Sequence, residues 1–153
     1  MFPYQDAKLP IEERIDDLLG RMTLREKILQ TDQYFSGDFT AQDENGQVTA
    51  MDLDRLDALL QGCSVGSVQL RGMDAAQANT VQRYAMEKTR LGIPFLFSEE
   101  ALHGLMTNRA TSFPQQIGLA ATFDPELGRR MGHAIATETR AMGIHETYSP
   151  VMD

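Results

Sequence analysis

The sequence predicts an α/β fold of parallel strands with helices outside them. Three observations carry that reading. Apolar residues recur at helical spacing in several separate stretches, short β-rich runs lie between the later ones, and Gly62, Gly92, Pro94 and Gly143 punctuate the junctions. Strands separated by whole helices need crossover connections, which pair them in parallel and wind them right-handed.

The elements follow in order. Ile11, Ile15, Leu18, Leu19 and Met22 share one helical face, and Pro10 is placed to open it. Thr23 with Glu26 three residues on is a capping box, predicting a second helix from Leu24 to about Gln30. Replacing Thr23 by Ala is expected to cost about 1 kcal/mol. Residues 36–50 hold Gly37, Asp38, Asp43, Asn45 and Gly46 with few apolar partners, the composition of an exposed loop or hairpin without chemistry of its own.

Leu53, Leu56, Leu59 and Leu60 then repeat as a helix until Gly62, and Val65 to Leu70 reads as a short strand. A helix from Asp74 carries Ala78, Val81 and Ala85 and extends toward Leu91 before the strand run Phe95, Leu96, Phe97. Asp124 and Pro125 form an N-cap and first-turn pair for a long helix with Leu127, Met131, Ile135 and Met142, stopped by Gly143. Ile144 to Val151 is the next extended segment.

Composition narrows the function. The 153 residues, 42% of them hydrophobic and 24% charged, suffice for one folded domain with its own core and exclude disordered and low-complexity classes. A net charge of −8, with Arg129 and Arg130 as the longest basic cluster, argues against a nucleic-acid partner. No stretch approaches the roughly 18 apolar residues of a membrane span, and no leader pattern opens the chain. Location stays open between the cytoplasm and a processed secreted product. The lone Cys63 allows neither an internal disulfide nor a zinc site of paired cysteines and is expected to be a small buried filler. Met22, Met131 and Met142 sit on apolar faces as core residues.

Ligands of parallel α/β folds meet the C-terminal ends of the strands, where loops and helix N-termini gather. The strand through Phe97 delivers Glu99 and Glu100 to that edge. Alternation puts Leu96, Ser98 and Glu100 on one face and Phe95, Phe97 and Glu99 on the other. The phenylalanines suit the helix-covered side, so Glu100 is expected to point into the mouth and Glu99 away from it. Neighbours on opposite faces cannot serve as the paired carboxyl groups, about 5 to 5.5 Å apart, that flank one bond in a retaining glycosidase. From spacing alone Glu100 has three readings: a substrate ligand, a carboxylate that caps the next turn or pairs with Arg109, or a plain surface glutamate.

His103, His133 and His145 show neither an HExxH pattern nor any pair at i, i+4, so no metal is expected. His103, beside Gly104, reads as a loop residue bonded to backbone or a carboxylate, with sugar binding as the lesser role. There is no GxSxG elbow, Walker loop or Rossmann fingerprint, and no cofactor is expected.

Four segments stand out: LPIEERIDDLLGRMTLREKI (9–28), GIPFLFSEEALHG (92–104), FPQQIGLAATFDPEL (113–127) and ETRAMGIHETYSPVMD (138–153). Together and in this order they resemble the N-terminal part of glycoside hydrolase family 3, the β-glucosidase and β-xylosidase group. The resemblance implies that residues 1–153 are the N-terminal portion of the family's barrel domain, roughly the first half of a (β/α)8 TIM-type barrel. It also implies retaining hydrolysis of a small β-glucoside or oligosaccharide through a covalent intermediate.

The residue before Ala-Leu-His-Gly in this family hydrogen-bonds the sugar in subsite −1, which makes Glu100 the expected substrate ligand; His103 and Asp153 are weaker candidates. No residue of the chain matches the family's nucleophile or acid/base, so no catalytic residue is assigned. A barrel of this type needs about 250 residues. The chain is therefore expected to be a fragment or one subunit of a split enzyme, inactive alone, with the remainder of the barrel or a complementing subunit as partner. A second reading is a non-catalytic sugar-binding or assembly module, and a third is a different parallel α/β enzyme that shares the layout by convergence.

Overall fold

The computed structural model describes residues 2–107 and 109–150. Helices α1 (Ile11–Arg21) and α2 (Leu24–Leu29) come first. Between them the Thr23 hydroxyl accepts the Glu26 amide while the Glu26 carboxylate accepts the Thr23 amide, completing the capping box. The apolar stripe of α1 is real but uncovered: no residue of that helix is buried, and Ile11, Ile15 and Leu19 are exposed.

The chain then lays down β1 (Gln33–Phe35), the antiparallel hairpin β2 (Thr40–Gln42) and β3 (Val48–Met51), helix α3 (Leu53–Leu60) and strand β4 (Ser67–Gln69). Helix α4 (Ala75–Lys88), strand β5 (Leu96–Glu99), helices α5 (Gln116–Ala120) and α6 (Pro125–Ala141) and strand β6 (Glu146–Thr147) complete it. Asp52, Asp74 and Asp124 each cap the helix that follows, accepting the amides of Arg55, Gln77 and Leu127.

Strands β1, β4, β5 and β6 form one parallel sheet in that order. Each new strand is laid beside the previous one in the same direction, the progressive winding of a (β/α) barrel rather than the reversal of a doubly wound sheet. Val68 of β4 lies beside Phe97 of β5 in register, and with Leu70 and Phe95 they fuse with Leu56, Leu60, Val81 and Ala85 of α3 and α4 into the main core. That is the helix-covered side expected for the phenylalanines. On the opposite face Gln33, Ser67 and Leu96 are in register, and Leu96 remains 43% exposed. The described residues thus form an α/β partial barrel with helices outside.

Several expectations need correction. Strand β1 and the single-turn helix α5 carry too few residues for any periodicity to announce them. Helix α4 ends at Lys88, so Leu91 is buried beyond it rather than on it. Cys63 is half-buried, because it follows the left-handed turn at Gln61 and Gly62 instead of entering the core. Only two residues of the extended segment from Ile144 pair as a strand; Val151 lies outside the described residues.

Candidate functional site

Strand β5 places three polar residues in succession at the C-terminal edge of the sheet. Ser98 is fully buried and belongs to a ring of hydrogen bonds on the sheet's inner face. The Tyr148 hydroxyl donates to Gln33 Oε1 at 2.8 Å and lies 2.8 Å from Ser98 Oγ, while Gln33 Nε2 donates to Ser98 Oγ at 3.4 Å. Each group thus gives and receives one bond, and the ring ties β1, β5 and the residue after β6 together.

Glu99 is 2% exposed. Its carboxylate does not join the apolar packing of Phe95 and Phe97, as simple alternation implied. Oε1 instead accepts Gln69 Nε2 at 2.9 Å and the amide of Glu100 at 2.8 Å. The Oε2 atom is buried and meets no hydrogen-bond partner among the described residues. Burial pushes the Glu99 carboxyl above its ordinary range, and the Glu100 amide, the Gln69 side chain and the Arg71 charge pull the other way.

Glu100 directly follows the strand and is half-buried. Its main chain is fixed at both ends: the amide donates to Glu99, and the carbonyl accepts the Met106 amide. Among the described residues its carboxylate makes no hydrogen bond or ion pair. Arg109, its suggested partner, pairs instead with Asp74 at 3.2 Å.

His103 lies in the loop that follows. Its carbonyl accepts the Phe113 amide at 2.7 Å, and no described residue bonds its imidazole. The adjoining Gly104 holds φ at +113°, and a Cβ there would stand 2.1 Å from the Thr111 carbonyl oxygen. Only glycine allows this loop to close on itself. His103, Gly104 and Arg71 line a cleft of about 450 Å³ between the β2–β3 hairpin and the loop. A second cavity of about 500 Å³ lies between α5, α6 and β6, lined by Met131, Ile135 and Thr139, and does not reach Glu100, Arg71 or His103. Asp153 lies outside the described residues.

His133 sits exposed on α6, and His145 accepts the Phe97 amide on Nδ1 at 3.0 Å. The three histidines do not meet, and among the described residues no group of three His, Cys, Asp or Glu is arranged to hold a metal ion. No helix among them is long and apolar enough to cross a membrane. Sequence reasoning missed Gln33, Gln69, Arg71 and Tyr148. For Arg71, its place just after a strand was the available signal.

A partial (β/α) barrel with carboxylates at the C-terminal ends of its strands is the architecture of many barrel enzymes. Comparison with known proteins makes this specific. Residues 23–153 match the profile of the glycosyl hydrolase family 3 N-terminal domain, and the chain belongs to that family.

It is 36% identical over 166 aligned residues to a periplasmic β-glucosidase/β-xylosidase of Dickeya chrysanthemi, covering 99% of this chain and 25% of that relative. It is 32% identical over 153 residues to a putative β-xylosidase of Formosa agariphila, covering 98% of this chain and 20% of that protein. The fold superposes on a β-glucosidase from Erythrobacter marinus with a TM-score of 0.78 at 28% identity, over 98% of this chain and 20% of that one. A β-glucosidase from Listeria innocua in complex with glucose gives 0.70 at 31% identity, over 93% of this chain and 19% of that one. The chain spans a fifth to a quarter of the length of these two curated relatives.

Proposed function

We propose that this chain supplies part of the terminal-sugar subsite of a retaining β-glucosidase or β-xylosidase, with Glu100 anchoring sugar hydroxyls. The complete enzyme then hydrolyses terminal β-linked glycosides. The observation that carries this reading is Glu100 itself, a half-buried carboxylate at the C-terminal end of β5 with no bonding partner among the described residues. Its lone pairs are available to hydroxyl donors, and a charged acceptor makes stronger bonds to them than a neutral one. The names of the relatives and the glucose complex of a structural neighbour support a β-glycoside as the substrate class.

Glu99 is buried, and Glu100 is its neighbour in the chain. The pair therefore does not provide the two flanking carboxyl groups that retention needs. In this reading the nucleophile and the acid/base come from outside the chain, with the remainder of the barrel or a complementing subunit as partner. His103, on the wall of the adjoining cleft, is a lesser contact.

The test is Glu100→Ala in the active polypeptide that carries this chain, assayed on p-nitrophenyl β-glucoside and β-xyloside. Loss of a charged hydrogen bond is expected to lower kcat/KM by about tenfold or more. Unchanged kinetics would remove Glu100 from the sugar site.

A further inference from the structure

Two glutamates stand side by side at the end of β5, and the structure treats them oppositely. Glu100 keeps its carboxylate free of described partners, whereas Glu99 is 2% exposed and turns one oxygen onto the backbone of its neighbour. Oε1 of Glu99 takes two donors, the Glu100 amide at 2.8 Å and Gln69 Nε2 of β4 at 2.9 Å. Oε2 is equally buried and receives none from the described residues.

An ionised carboxylate spreads its charge over both oxygens, so a buried one with a bare oxygen is strongly disfavoured. A neutral carboxylic acid fits the same surroundings: its carbonyl oxygen accepts both amide donors and its hydroxyl is the poorly matched end. The charged groups acting on Glu99 are Arg71, following β4, and Glu100, following β5, and their influences oppose each other. Burial decides between them.

We propose that Glu99 is a positioning residue for Glu100, acting as a neutral acid with its proton on Oε2 and clamping the Glu100 amide to β4 through Oε1. Glu100 is then left as the single negative charge where the strand ends, its main chain held from both sides. This inference rests on the reading of Glu100 as the sugar anchor, and its tests are chosen to fail separately from that reading.

The first test needs no activity. In the 153-residue chain, carbon-13 NMR of the glutamate carboxyls is expected to find Glu99 still protonated at pH 7. Glu99→Gln, a neutral side chain with the same carbonyl acceptor, is expected to preserve slow hydrogen exchange at the Glu100 amide, and Glu99→Leu to abolish it. An ionised Glu99 at pH 7, or equal protection in both variants, overturns the proposal. Should Glu99→Leu fail to fold, the wild-type titration decides alone.

The second test is a kinetic cycle in the active polypeptide. A residue that acts through Glu100 loses its effect once Glu100 is gone, so Glu99→Ala is expected to lower kcat/KM severalfold in the wild type and not at all beside Glu100→Ala. Equal factors in both backgrounds would reduce Glu99 to a structural group and sink this inference. Wild-type kinetics of Glu100→Ala would instead sink the sugar-anchor reading.

Discussion

The phenolic oxygen of Tyr148 lies 2.8 Å from Oε1 of Gln33, although the two residues are 115 positions apart and belong to opposite margins of the sheet. Two strands, β4 and β5, separate β1 from β6. A flat sheet would hold these margins well apart, since neighbouring strands are about 4.8 Å from one another. The contact therefore records how far the four strands have already curled toward a barrel.

Tyr148→Phe removes the donor to Gln33 and a partner of Ser98 while keeping the ring. The half-buried acceptor it orphans, Gln33 Oε1, is expected to cost about 1 kcal/mol. Urea denaturation of the chain measures it, and an unchanged midpoint would show that the ring of bonds contributes nothing to the curl.

Glu26 is buried, bonded to the Arg90 guanidinium and to Thr23, and these contacts hold its carboxyl down at about 2. Its folded value lies below its unfolded one, so its stabilisation is complete above about 4.5 and is lost as the pH falls toward 2. Glu26→Gln is expected to lower stability at pH 7 by roughly 2 kcal/mol, less than the full shift because Arg90 is half-exposed. It should also flatten acid unfolding over that window, as followed by circular dichroism. An acid limb as steep as that of the wild type would assign the window to other carboxyls.

His145 occupies a ladder position with its side chain as well as its backbone. Its amide donates to the Phe97 carbonyl at 2.8 Å, and its Nδ1 accepts the Phe97 amide at 3.0 Å. The imidazole must be neutral to accept there. Partial burial and the Arg140 charge lower its proton affinity. With the folded value below 6.5, stability is complete above that pH and declines as pH falls below it. Thermal melts from pH 7.5 to 5.5 are expected to show this decline in the wild type and a shallower one in His145→Phe. Parallel curves would mean that the Nδ1 contact has no weight.

Gly104→Ala forces a Cβ against the Thr111 carbonyl at a φ of +113°. Strained backbone and steric overlap together are expected to cost about 2 to 4 kcal/mol. Because the loop also carries His103 and the approach to Glu100, binding should weaken along with stability. A melting temperature equal to that of the wild type would mean the loop opens at little cost.

The helices were legible because each one pairs an apolar period with a local stop or start: Pro10 before α1, Thr23 with Glu26 for α2, Gly62 after α3, Asp124 with Pro125 for α6. The place of Glu100 at the end of β5 was legible because the run Phe95, Leu96, Phe97 is a local strand signal. What escaped was set by contacts far apart in sequence. Three residues of β1 have too little pattern to declare a strand, and Gln33 and Tyr148 gain meaning only when the sheet curls. Glu99 obeyed the buried half of its expectation and departed from the rest, because a carboxylate at the last position of a strand has an amide from the next residue within reach.

The closed ring of Gln33, Ser98 and Tyr148 also limits where selectivity can arise. These three side chains answer one another, so the inner face two residues below Glu100 presents polar groups that are already matched. On the proposed reading of Glu100 as a sugar anchor, the further contacts this chain can offer lie on the loops that follow β4 and β5.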